Sequence, residues 1–350
     1  MQDVSVPYTL FKTYKALYRA QYNTEIKHPL EDTVLRPTQT TTTDSAYLEL
    51  IKKRSLYLLT FADFARCYIE DIDNQECCPS ILPNKRLETG KNGWTLIDYG
   101  QTNEKKLMYS DKKNRYIIFR NDNFKKTLIT FPATKGIGQG INEVLQSALT
   151  SFPLKKFSSD IKLTKYFGQR AYDIMPYIFT EKNIEKMKLK EGYQLIFTGH
   201  SLGAAMAAAT CLFALDQSLI SKELNHPFIV TFGQPRTGND KFALTLMKES
   251  ELIYRVTNKG DCILEIPLRL LGYRHTQGRF RLEPDKENYT IVSDKFVYDV
   301  NSADDDQELD AIKIVDNYLH HFDKHTYYFG QYVGGKCPPT LDNDDDDEDP

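Results

Sequence analysis

No stretch of this sequence reaches the ~20 consecutive apolar residues that a bilayer-spanning helix requires. The most apolar run, Ala204 to Leu215, is short and alanine-rich, and reads as a buried helix. Cysteine is sparse at six residues, and none forms a CxxC pair of the kind that holds zinc, so neither a disulfide scaffold nor a zinc site organises the chain. Met1 to Leu10 lacks a basic segment followed by an apolar one, so no secretory leader is visible; this favours an intracellular protein or one that begins past its leader. A basic excess is missing as well. The net charge is −3, but the seven acidic side chains of Asp342 to Asp349 account for more than all of it and leave the remainder at +4. A mildly basic body with an acidic tag is not a nucleic-acid binder with one charged face. Neither that tail nor Asp304 to Asp310 has the spaced ligands of a calcium loop.

What is present is core. Hydrophobic residues at 41% and aromatics at 12% exclude disorder throughout. Residues 1–44 read as an N-terminal extension or pro-segment, with Tyr8, Phe11, Tyr14, Tyr18 and Tyr22 at helical spacing and the low-complexity linker Thr38 to Thr43. Residues 45–338 read as one domain, and 339–350 as an acidic, disordered tail. Ala46 to Tyr68 has a helix-length pattern. Short β-rich runs follow at Trp94–Ile97, Arg115–Arg120, Thr127–Phe131, Gln194–Thr198, Phe228–Phe232 and Leu252–Thr257. The last three are continuously apolar and alternate with helical stretches, which suits an α/β fold whose mostly parallel sheet is covered by helices on both faces.

The most informative segment runs from Gln194 through Gly199-His200-Ser201-Leu202-Gly203 into Ala204 and Ala205. An apolar strand leads straight into Gly-x-Ser-x-Gly and then into an alanine-rich helix. A sharp strand-to-helix turn projects a serine hydroxyl above the sheet, and the flanking glycines remove side chains that would collide there. A helix N-terminus at that point favours developing negative charge. Ser201 is therefore the candidate nucleophile. It needs a histidine to take its proton and a carboxylate to orient the ring. Chain order in such folds is serine, acid, histidine, which leaves His226, His275, His320, His321 and His325 as candidate bases, and Asp261 or Asp240 as the acid. Asp261 follows the strand Leu252–Thr257, at the end where α/β sheets assemble their sites. The N–H of Leu202, directly after the nucleophile, is one oxyanion donor.

The chain resembles the fungal-type, or class 3, triacylglycerol lipases. The resemblance rests on Gly199 to Ala205; Thr231-Phe-Gly-Gln-Pro-Arg-Thr-Gly-Asn239; Tyr254-Arg-Val-Thr-Asn258 followed by Asp261; Gly272-Tyr-Arg-His275; and His325 within His-Thr-Tyr-Tyr-Phe-Gly. It implies an α/β-hydrolase fold with a lid, a triad of Ser201, Asp261 and His325, and a second oxyanion donor at Thr134. His275 becomes a structural histidine. The glycines Gly136, Gly138 and Gly140, with Ile141, Val144, Leu145, Ala148 and Leu149 after them, look like a hinged lid helix that meets a lipid–water interface. The resemblance further implies a Cys67–Cys337 disulfide, with Cys77 and Cys78 at a closely spaced pair, and hence secretion or a lysosome-like compartment. Cys211 and Cys262 read as buried thiols. The implied activity is acylglycerol ester hydrolysis by an acyl-enzyme without metal or cofactor; phospholipase and feruloyl-type esterase activities are its neighbours. Pro132 and Ala133 replace the family's Arg-Gly pair, the one feature that favours an inactive lipid-binding relative.

Overall fold

A computed structural model of the chain describes residues 45–68, 93–102, 114–133, 144, 148–258, 260–276, 278–284, 289–293, 323–329 and 331–333. The expectations for the extension 1–44, the tail 339–350, Thr134, Gly136 to Gly140, Ile141, Leu145, His320, His321, Cys77, Cys78 and Cys337 lie outside those residues, as does the side chain of Cys67.

Ser45–Tyr68 contains neither glycine nor proline and forms one helix, α1. Its buried face, Ile51, Leu58, Leu59, Phe61, Ala62 and Ala65, lies across two central strands, β3 (Lys126–Phe131) and β6 (Gln194–His200). Phe61 meets Trp94 and Phe119 edge-on at 5.3 and 5.2 Å, and Thr130 Oγ1 donates to the Phe61 carbonyl at 3.2 Å.

The main sheet has eight strands in the order β1-β2-β3-β6-β7-β8-β9-β10. The remaining strands are β1 (Thr95–Gln101), β2 (Arg115–Asn121), β7 (Phe228–Phe232), β8 (Leu252–Asn258), β9 (Arg279–Pro284) and β10 (Tyr289–Ser293). From β3 to β9 the pairing is parallel, and antiparallel partners close both edges. Every residue of β3, β7 and β8 is buried, as is β6 beyond Gln194; for β6, β7 and β8 this is the two-sided burial that their continuously apolar character indicated. β1 runs on to Gln101 past the expected end at Ile97, because its polar second half pairs with β2 beyond a register shift between Leu96 and Asp98.

One helical expectation is corrected. Leu149, expected on the lid helix, belongs to the short strand β4 (Leu149–Ser151), antiparallel to β5 (Lys162–Thr164). The following chain turns back at this point, so its backbone finds partners across the pair and not along a helix. Val144 is helical and buried.

Register puts the strand ends level. Phe131 pairs with Gly199, Gly199 with Thr231, and Phe232 with Val256. The segments after β3, β6, β7 and β8 therefore leave from one edge of the sheet, where α/β folds assemble their sites.

Candidate active site

β6 ends at His200, and helix α2 (Leu202–Asp216) begins one residue after Ser201. Ser201 carries the whole reversal, at φ 57° and ψ −121°. Positive φ is costly for a residue with a Cβ and persists only where surrounding structure enforces it. Here the enforcement is close packing. A Cβ on Gly203 would lie 2.1 Å from the Phe131 carbonyl oxygen, and one on Gly199 would lie 2.4 Å from the Gly203 backbone. Only glycines let the helix cross β3 this tightly. The Ser201 N–H donates to the Phe232 carbonyl at 2.9 Å, which stitches the turn to β7. Helix α2 is apolar on every side, and Gly203 to Asp216 is buried throughout, so the serine stands on a rigid support.

Asp261 follows β8 and caps a short 3₁₀ turn, Cys262–Glu265, accepting from the Ile263 N–H at 2.9 Å. His325 lies in a single helical turn, Asp323–Thr326 (α3). Its Nδ1 lies 3.0 and 2.9 Å from the two Asp261 carboxylate oxygens, and both side chains are fully enclosed. The structure therefore brings together Asp261 and His325 as expected, across 64 residues of sequence. The rivals fall elsewhere. Asp240 is exposed at the start of the helix Asp240–Glu249, and His226 is exposed, with Glu251 at 3.9 Å. His275 is buried with Nε2 2.8 Å from the Leu264 carbonyl oxygen, and burial together with Arg255 and Arg236 pushes its pKa well down. It is the structural histidine expected. Cys211 and Cys262 are buried thiols; burial first and Asp261 second push Cys262 up to about 12.

Three residues about the Asp261–His325 pair were not given roles by the sequence. Tyr328 is fully buried and donates its hydroxyl to Asp261 Oδ2 at 3.2 Å; burial and the carboxylate together raise its own pKa well above the phenolic range. Gly233 has φ +57°, and a Cβ there would lie 2.9 Å from His325 Cε1 and 2.8 Å from the Tyr328 hydroxyl, so the imidazole sits directly on its backbone. His200 is fully buried, with Nε2 2.7 Å from the main-chain oxygen of His325. The Gly233 signal was present in Phe-Gly-Gln-Pro but had no geometric meaning without the fold.

The same motif supplies the frame beneath the acid. Gln234 bridges Thr231 and Thr237 through 2.7 and 3.0 Å bonds, and Asn239 caps the helix that follows by accepting from the Phe242 N–H. The Arg236 guanidinium reaches the Glu265 carboxylate at 2.9 Å and the carbonyls of Glu265 and Pro267 at 2.6 and 3.1 Å. That pins the segment directly after Asp261.

On the oxyanion side, Leu202 opens α2, whose first N–H groups have no acceptor within the helix. The carbonyls of Phe131 and Pro132 lie against Gly203, so the loop after β3 arrives beside Leu202. Ala133 is buried and is not among the described residues of positive φ, so replacing the family's glycine imposes no left-handed backbone there. Val144 packs in one apolar cluster with Ala205, Cys262 and Ile263, and Leu202 lies against it.

Residues 128–271, which carry the elbow and the acid, match the lipase (class 3) family. A secreted mono- and diacylglycerol lipase of Fusarium solani is 33% identical over 102 residues, 28% of each chain. One from Malassezia restricta is 27% identical over 193 residues, 53% of this chain and 58% of its own. The matched stretches thus span less than two thirds of these curated relatives. Among solved structures, Rhizomucor miehei triacylglyceride lipase superposes with TM-score 0.61 at 19% identity, over 81% of this chain and 96% of that one. Its propeptide complex superposes with TM-score 0.62 at 19% identity, over 93% and 94%. Those likenesses establish the α/β-hydrolase fold, and within it residues 128–271 are similar to the class 3 lipases.

Proposed function

We propose that this chain is a carboxylic-ester hydrolase acting on acylglycerols through an acyl-enzyme. The observation that carries the reading is the enclosed Asp261–His325 pair, whose His325 carbonyl oxygen lies 2.7 Å from Nε2 of His200, the residue before the strained Ser201 turn. With Nδ1–H donated to Asp261, the ring presents Nε2 as its basic nitrogen. Ser201 Oγ attacks the ester carbonyl as its proton passes to His325 Nε2. The tetrahedral oxyanion takes the Leu202 N–H, with Thr134 as the second donor by resemblance. Collapse breaks the carbon–oxygen bond of the leaving alcohol, which receives the proton from His325. Water, deprotonated by the same ring, then hydrolyses the acyl-serine and restores the enzyme. This chemistry calls on no metal or organic cofactor.

Acylglycerols are the favoured substrate class because the relatives' names specify mono-, di- and triacylglycerol substrates. The same names favour secretion over a lysosome-like or cytoplasmic site. Contact with a lipid–water interface through the segment containing Val144 accords with that residue's packing against the Leu202 and Ile263 side of the site. Residues 1–44 we read as a pro-segment from their aromatic residues at helical spacing ahead of the Thr38 to Thr43 linker.

A fluorophosphonate probe tests the reading. Stoichiometric labelling of the wild type that disappears in Ser201→Ala supports it, as does turnover of emulsified acylglycerols in preference to phospholipids or aryl esters. No labelling at all would instead favour the inactive lipid-binding relative.

A further inference from the structure

We infer that His200, the residue before the nucleophile, is a positioning residue that sets the place of the general base by bonding to its main chain. The inference rests on the triad reading and deepens it. His200 is the last residue of β6 and is fully buried. Its Nε2 lies 2.7 Å from the carbonyl oxygen of His325, a contact spanning 125 residues of sequence. A carbonyl only accepts, so His200 donates, and Nε2 carries its proton. The two imidazoles also overlap, with centroids 4.7 Å apart and planes tilted by 35°, and the His200 ring meets Tyr328 edge-on at 5.7 Å.

The contact matters because of what holds His325 otherwise. Among the described residues, its helical turn is one of four residues, Asp323–Thr326, followed by a two-residue strand pair. Asp261 orients the imidazole about Nδ1 but does not set its distance from Ser201. Asn258 Nδ2 donates to the Lys324 carbonyl at 2.9 Å and anchors the turn to the strand that carries the acid. His200 anchors it to the strand that carries the nucleophile. Among the described residues, each of these two strands thereby sends a side chain to the main chain of the turn that carries the base. Misplacement of a reacting group by ~1 Å can cost about a hundredfold in rate, so a bond made by the nucleophile's own neighbour governs the separation that proton transfer depends on.

Two variants and one measurement on the native protein test this. His200→Phe keeps an aromatic ring and removes the donor; His200→Gln keeps an N–H at similar reach. We expect His200→Phe to lower both kcat and the fluorophosphonate labelling rate at least tenfold with KM unchanged, and His200→Gln to recover to within about threefold of wild type. Equal labelling rates for wild type and His200→Phe overturn the inference, as does failure of His200→Gln to exceed His200→Phe. On the wild type, ¹⁵N NMR of the histidines should show His200 protonated at Nε2 with slow solvent exchange. A His200 protonated only at Nδ1 overturns the inference even if neither variant folds. Absence of labelling in the wild type itself would strike the triad reading instead.

Discussion

Asp261 accepts from three directions: the His325 ring, the Tyr328 hydroxyl and the Ile263 N–H. Its charge holds the imidazole tautomer that exposes Nε2 as base. Asp261→Asn preserves the shape and reverses that preference, so kcat should fall by about 10⁴-fold with the fold intact; a variant within tenfold of wild type would remove Asp261 from the mechanism. Tyr328→Phe deletes one donor of three. At about 0.5–1.5 kcal/mol for such a bond, we expect a two- to tenfold drop in kcat on a soluble ester. His275 acts on stability instead. Its folded-state pKa is pushed well below the ordinary imidazole value, chiefly by burial and next by Arg255 and Arg236. Below about pH 6.5 the unfolded chain therefore binds a proton that the folded one refuses. Stability is unaffected by His275 above that pH and declines as pH falls beneath it. Thermal melts of wild type and His275→Gln from pH 7 to 5 should show the steeper decline in wild type, and parallel curves would refute the assignment. At this scale the sequence was legible where chemistry dictates residue type, as at Ser201. It was silent on Tyr328 and His200, since one more tyrosine or histidine in a chain carries no geometry.

Elements were legible where one physical demand dominates. The largely apolar, non-alternating runs of β7 and β8 require burial on both faces, and the alanine-rich helix after Ser201 has no polar side to show to water. Leu149 was misread because apolar spacing over a few residues suits a helix or a strand equally, and only pairing with Thr164 decided it. Two predictions belong here. The Gly203 position leaves no room for a methyl group against the Phe131 carbonyl. Gly203→Ala must part the elbow from β3, at about 3 kcal/mol, read as a lowered denaturation midpoint together with lost labelling. The Arg236–Glu265 pair, nearly inaccessible on both sides, pins the acid-bearing turn. Arg236→Met removes the cation 2.9 Å from the buried Glu265 carboxylate and should cost about 3–5 kcal/mol, whereas Arg236→Met with Glu265→Leu should restore most of that loss. Equal stability of single and double variants would show that the pair is not what holds this turn.

Across the whole molecule, α1 closes one face of the sheet beneath the strands that carry the site. Trp94, the only tryptophan, is buried there, and its indole N–H donates to the Tyr57 hydroxyl at 2.6 Å. Its emission should be blue-shifted in the native state and should report α1 leaving the sheet. Phe61→Ala, which empties the contact among Phe61, Trp94 and Phe119, should cost about 3–5 kcal/mol and red-shift that emission; an unchanged spectrum would place Trp94 in another environment. The sequence by itself determined the fold class and marked Ser201 as the candidate nucleophile. Both follow from local rules: which residues demand burial, and which turn a Gly-x-Ser-x-Gly segment makes between strand and helix. The tertiary structure alone decided that His325 meets Asp261, that the Asp240 and His226 side chains stay at the surface, and that Gly233 and His200 frame the base. Those contacts join residues 64 to 125 positions apart. Contact across such separations is fixed by strand register and close packing, which no local pattern of residues encodes.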